Sequence, residues 1–204
     1  MADLSKKDWS PGANKNVVMV KKTHIEQALQ HKALLYDKSG EEHFNCISAL
    51  HKSMRSSDPN ASLYWLARML EAGEDPLYVA RRMFRFAAED VGNADPHATI
   101  LAHAVFDACR RIGMPECSVH LAQLAVYLSN APKDNSTYVG YSRARLDAQK
   151  TLNLPVPLHL RNPVTDLMKD CGYGKGYVYD HDLPDKKSGQ QCLPDELRNR
   201  SYLE

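Results

Sequence analysis

The sequence predicts an all-α protein, a multi-helix bundle, on three observations. Apolar residues recur at helical spacing through most of residues 41–152. Asp-Pro pairs open successive runs and glycines close them. Strict polar/apolar alternation is scarce, so any strands are few and short. With 204 residues, 43% of them hydrophobic and 25% charged, the chain suffices for one large or two small domains with a packed core.

The first sixteen residues, MADLSKKDWSPGANKN, are polar and read as a flexible lead-in without the apolar centre of a signal peptide. In THIEQALQHKALLYD, Thr23 and Glu26 stand at capping-box spacing, Ile25 and Leu29 keep helical spacing, and Gly40 ends the run. From Glu41 the punctuation is regular. Asp58-Pro59, Asp75-Pro76 and Asp95-Pro96 each supply an N-cap followed by proline at a first helical position, where its missing N–H has no intrahelical partner anyway. Pro115 with Glu116 varies the theme, and Gly73, Gly92 and Gly113 close runs as C-terminal caps. Helices are therefore expected near 42–56, 59–72, 76–91, 96–112, 115–130 and 136–151, joined by short connections. Their similar lengths raise the alternative of a repeat protein, but no pattern recurs beyond the Asp-Pro starts. From Asn153 the chain is rich in Pro, Gly and Tyr. Asn162 and Pro163 are placed to start one short helix ending near Gly172, and the rest reads as an extended arm laid against the helices or a partner.

The run 76–91 holds three arginines among many apolar residues. At 100° per residue, Tyr78, Arg81, Arg82, Arg85 and Glu89 form one stripe; Leu77, Ala80, Phe84, Ala87 and Val91 line the other side. Val79, Met83 and Phe86 widen the apolar surface, which puts this helix in the middle of a bundle or between a bundle and a partner; these three are the candidate oligomer-interface residues. The arginines either pair with acids such as Glu71, Glu74 or Glu89, or face an anionic partner. Arginine cannot serve as a general base near neutral pH, so catalysis by them is excluded.

No G-x-x-x-x-G-K-[ST] phosphate loop occurs, and CGYGKGY around Lys175 lacks both a preceding strand and a following Ser or Thr. The nine histidines show no H-E-x-x-H, and no Cys/His set has zinc spacing. No G-x-S-x-G is present. No catalytic, cofactor-binding or metal-binding residue is predicted. Five cysteines without a C-x-x-C fit reduced thiols in an intracellular protein, and no apolar run reaches membrane-span length. A formal net charge of +1 leaves nucleic acid undemanded as a partner, although a local basic patch can hide in a balanced total.

HFNCISALHKSMRSSDPNASLYWLARMLEAGEDPLYVARR (43–82), AAEDVGNADP (87–96), GMPEC (113–117), PVPLHLRN (155–162), LMKDCGYGKGY (167–177) and LPDELR (193–198) together resemble the C-terminal region of the MgsA/RarA family of AAA+ ATPases. Its eukaryotic members are called Werner helicase-interacting proteins, and NCISALHKSM leans toward that branch. The resemblance implies a clamp-loader-like, post-AAA+ helical domain that assembles the protein, usually as a tetramer, and action at stalled replication forks in recombination and repair, in the nucleus. It implies residues 17–40 as a remnant of the AAA+ lid, 41–152 as the helical oligomerisation domain, and 153–204 as a C-terminal arm whose short helix packs on the bundle. Both Walker motifs are absent, so this chain, an excised portion or a truncated relative, is expected not to hydrolyse ATP; ATP and Mg belong to the ATPase domain of the resembled family. Implied partners are further copies of the chain, DNA with single-stranded or forked character, and repair proteins such as a RecQ-type helicase or a DNA polymerase. The alternative function is a DNA-binding module, with Arg81, Arg82, Arg85, Arg110, Arg111 and Lys175 as candidate contacts. Ser56 stands where the family usually has glycine, which implies an altered turn before Pro59. Asp166 stands where a basic residue is common, which weakens that loop as a DNA contact.

Overall fold

The computed structural model describes residues 21–23 and 41–203. The lead-in 1–16, the Thr23–Glu26 capping box and all of the lid segment 17–40 except 21–23 lie outside the described residues. Within the described residues the regular elements are all helical. In order they are α1 (Glu41–Arg55), α2 (Pro59–Glu71), α3 (Pro76–Phe86), α4 (His97–Ile112), α5 (Cys117–Asn130), α6 (Ser136–Lys150) and the short α7 (Asp166–Asp170). The chain divides into two compact units between Asn135 and Ser136.

The Asp-Pro punctuation starts α2 and α3 as expected, whereas at α4 Pro96 falls at the N-cap position and the helix begins at His97. The Asp58 carboxylate accepts from the Ala61 N–H at 2.9 Å, that of Asp75 from Leu77 at 3.0 Å and that of Asp95 from His97 at 3.1 Å. Each satisfies a backbone donor that the first helical turn leaves unpaired. Gly73 and Gly113 adopt positive φ after α2 and α4, as C-terminal caps do. Before Pro59 it is Ser57, next to Ser56, that takes the left-handed conformation, with φ of 57°.

In the first unit α5 is central, packing against α1, α2, α3 and α4. Its Leu121, Leu124, Ala125 and Leu128 are wholly buried. Around them sit Leu50 and Met54 of α1, Leu66 and Met69 of α2, Val79 and Met83 of α3, and Ala102 and Val105 of α4. Two buried hydroxyls join α2 to α5: Ser62 donates to the Asp58 carbonyl at 2.8 Å, and Ser129 Oγ lies 2.9 Å from Ser62 Oγ and 2.7 Å from the Ala125 carbonyl.

Several expectations need correction. Val79, Met83 and Phe86, expected at an oligomer interface, have no exposed surface. The face they form is consumed by the chain's own core and leaves a second copy nothing to touch. The helix expected over 76–91 is α-helical only to Phe86; Ala87–Val91 is a π turn and Gly92–Ala94 a 3-10 turn. Pro115 does not begin α5: Met114–Pro115 is a cis peptide, residues 114–116 form a turn, and the helix starts at Cys117. Finally, α6 falls in the second unit and not in the bundle. Its sequence, STYVGYSRARLDAQK, has no continuous apolar stripe, and it buries Gly140 alone.

The second unit is organised by polar contacts. His159 Nε2 is 2.8 Å from the Gln191 carbonyl. The Gln190 amide donates to the Val178 carbonyl at 2.9 Å and accepts from the Val178 N–H at 3.3 Å. Arg161 lies over the Tyr173 ring, 5.1 Å from its centroid. The short helix is capped by Thr165, not begun by Asn162 and Pro163. Tyr202 and Arg200 return to Asp147 of α6, with Arg200 Nε at 3.1 Å from the carboxylate. Gly140 permits that return, because a Cβ there would lie 2.6 Å from the Tyr202 carbonyl oxygen.

Leu124→Ala is expected to destabilise the first unit by about 2–5 kcal/mol, the cost of an unfilled core cavity, in urea unfolding followed by circular dichroism. Gly140→Val is expected to release residues 200–203 from α6, read as faster amide exchange there, with exchange in α5 unchanged.

Candidate functional site

Phe44, Ser48, His51, Lys52 and Arg55 fall on one face of α1, at helical spacing. The other face, carrying Cys46, Leu50 and Met54, is buried and fixes the helix against the core. Arg82 of α3 closes the site from the opposite side. Together with Ile47 these residues line an open cavity of about 260 Å³.

The π turn bears directly on this site. It carries Asp90, which is buried, into a forked pair with Arg55: Nε to Oδ1 at 2.5 Å and Nη2 to Oδ2 at 3.1 Å. The inserted residue of a π turn rotates the downstream part of the helix and re-aims a side chain that a regular helix would send elsewhere. Hydrogen bonding to Asp90 raises the Arg55 pKa further, so this cation is permanent. The backbone is tied down as well. The Asp90 carbonyl accepts from the Asp134 N–H at 2.9 Å, and Gly92, with φ of 55°, approaches so closely that a Cβ would collide with the Asp134 carbonyl oxygen. Because half of the Arg55 side chain stays in solvent, the pair adds less than a fully desolvated fork would.

His51 is held neutral. Burial is the main cause, Arg82 adds to it, Asp90 opposes it and Arg55 adds again; the result is a pKa of about 4. Among the described residues its Nε2 and the Nε of Arg82, both buried, find no hydrogen-bond partner. At the other end of α1, His43 Nδ1 meets Glu74 at 2.5 Å, both side chains buried, and ties α1 to the turn between α2 and α3.

The candidate residues from the sequence are dispersed. Arg81 is exposed and lies over the Tyr78 ring at 5.5 Å; Arg85 pairs with Glu89 at 2.6 Å, one of the acids anticipated for it. Arg110 and Arg111 are exposed in the last turn of α4, where Arg111 pairs with Asp107 at 2.6 Å, and Lys175 belongs to the second unit. Only Arg82 of the six reaches the cavity. Phe44, His51, Lys52 and Arg55 were missed, although their spacing of seven, one and three residues was a readable signal: a polar and aromatic face on a helix whose other face is apolar. Among the described residues no group of three or more His, Cys, Asp or Glu side chains is placed to hold a metal ion.

The family model described as MgsA AAA+ ATPase C terminal matches residues 56–204, and the model for the AAA C-terminal domain matches residues 2–55. The chain belongs to the MgsA AAA+ ATPase C-terminal family. The α1 face thus falls within the AAA C-terminal match, whereas Arg82 and Asp90 fall within the MgsA match. ATPase WRNIP1 of Dictyostelium discoideum is 45% identical over 202 residues, covering 98% of this chain and 23% of that protein. Replication-associated recombination protein A of Haemophilus influenzae is 45% identical over 184 residues, covering 90% of this chain and 41% of that protein. Its namesake in Escherichia coli K12 is 42% identical over 203 residues, covering 99% and 44%. This MgsA-family chain therefore spans less than half the length of these relatives.

A histidine held neutral by the fold makes acid destabilising. The folded pKa lies below the ordinary 6.5, so between pH 6.5 and about 4 the unfolded chain binds the extra proton and stability falls as pH falls. His51→Gln is expected to flatten that loss, by on the order of 2 kcal/mol between pH 6.5 and 4.5, measured as the difference between wild-type and variant urea midpoints.

Proposed function

We propose that this chain is the oligomerisation module, most simply a tetramerisation module, of an AAA+ ATPase that maintains replication forks and serves recombination and repair. One observation carries the assembly part. Throughout residues 136–203 Gly140 is the one buried residue, while Tyr138, Tyr141, Leu146, Leu152, Val164 and Leu167 are among many exposed large apolar side chains. A segment this apolar that buries so little offsets little of the entropy lost on ordering, and contiguous exposed apolar surface marks a partner's place. On this reading the interface uses α6 and the segment after it, in place of the α3 residues consumed by the first unit.

The family membership and the names of the relatives, replication-associated recombination protein A and WRNIP1, support the cellular setting. ATP hydrolysis then belongs to the ATPase domain of such a protein, with ATP and Mg as its ligands, and a RecQ-type helicase or a DNA polymerase is a natural partner. A nuclear setting is part of this proposal. No helix among the described residues is long and apolar enough to cross a membrane.

Sedimentation velocity at tens of micromolar is expected to give a discrete oligomer. Tyr141→Asp with Leu146→Asp, at side chains 70% and 56% exposed, is expected to weaken assembly by about tenfold or more while leaving the helical signal of the first unit intact. A wild-type chain that sediments only as a monomer would remove the proposal.

A further inference from the structure

We infer that the cavity between α1 and α3 is a phosphate-binding site for single-stranded nucleic acid: Lys52 and Arg82 take the phosphodiester and Phe44 offers a face to a neighbouring base. This goes beyond self-association and does not depend on it. It rests on the reading that the chain contacts DNA, and it moves that contact from the dispersed arginines to one built pocket.

The charge is unbalanced. Three cations, Lys52, Arg55 and Arg82, line the cavity, and the acid beside it, Asp90, is occupied by Arg55. Among the described residues neither Lys52 nor Arg82 has an acidic partner, whereas Arg68, Arg85, Arg111, Lys169, Arg198 and Arg200 all do. The excess is felt inside the site, where the charges of Arg82 and Arg55 both push the proton off His51.

The polar atoms are also unmatched. Among the described residues Arg82 Nε, a buried donor, finds no acceptor, and an orphaned buried donor costs far more than an exposed one. A phosphate oxygen entering the cavity meets the Arg82 guanidinium that lines it, and charge-assisted guanidinium–phosphate bonds are among the strongest polar contacts available to a protein. Ser48, exposed on the same face, adds a hydroxyl donor.

The third component is aromatic. Phe44 is 62% exposed at the rim and leans edge-on against His43, with ring centroids 5.1 Å apart. Its ring is thus braced but uncovered. A cationic cleft beside an uncovered aromatic ring is the arrangement that tracks a single strand, because every base presents a π-face whereas paired bases do not. Phe44 adds nothing to the capture of a free phosphate ion, so it separates the two sources of phosphate.

The test uses the whole chain and a fluorescently labelled oligothymidylate, read by anisotropy at low salt, with inorganic phosphate and a duplex of equal length as competitors. Lys52→Gln with Arg82→Gln is expected to weaken binding roughly tenfold or more and to lower the slope of log affinity against log salt by about 0.7, the share of one phosphate on a single strand. Phe44→Ala is expected to cost roughly fivefold or more and to erase the preference for single strand over duplex. Arg110→Gln with Arg111→Gln is expected to change little. Lys52→Glu, at an exposed position, repeats the test without touching a buried group, so an unfolded double variant does not protect the idea. No binding by the wild-type chain at low salt would sink the DNA-contact reading and this site together. Binding that survives both cavity variants, or that falls equally with Arg110 and Arg111, would overturn the site alone. Displacement by inorganic phosphate with no effect of Phe44→Ala would make it a small-anion site and overturn the nucleic-acid assignment.

Discussion

The first unit depends on the burial of α5. α5 packs against four other helices through the stripe of Leu121, Leu124, Ala125 and Leu128, while Val119, Gln123 and Asn130 on its remaining face stay exposed. Each of the other helices then needs only one apolar stripe, and its opposite face is free to carry chemistry. That division explains α1: Leu50 and Met54 hold it to the core, and Phe44, Ser48, Lys52 and Arg55 are left at the surface.

Much of this was legible from residues, because capping chemistry is local. An aspartate before a proline has few other ways to use its carboxylate, and Asp58, Asp75 and Asp95 all accept from the turn they start. What local chemistry could not reveal was which of two apolar helices lies at the centre. The run 76–91 and the run 117–130 both look rich enough, and the choice is made by tertiary contact. Nor does sequence spacing announce a π turn. AAEDV continues a helical pattern without a break, and the extra residue becomes visible only when Asp90 is found reaching Arg55. The site followed the same rule. The arginines of α3 drew attention as a cluster, yet only Arg82 opens into the cavity, because its position on the helix circumference lies next to α1.

The two units differ in what holds them. The first buries its apolar side chains, and the second turns most of its own outward and closes its loops with hydrogen bonds, among them His159 to Gln191 and Gln190 to Val178. Hydrogen bonds exchanged against water contribute modestly, so a unit built on them is held less firmly than one built on a buried core. The first unit offers the rigid frame in which a paired carboxylate, a neutral histidine and two unneutralised cations keep fixed positions.

The hydroxyl contact between Ser62 and Ser129 has a role beyond its modest energy. Leucine-lined helices can slide past one another by a turn with little penalty, since one aliphatic group replaces another. Two alcohols enclosed in hydrocarbon cannot, because any shift strands both. The pair acts as a vernier between α2 and α5, fixing their axial alignment and, through α5, the heights at which α1 and α3 present their outward residues to each other.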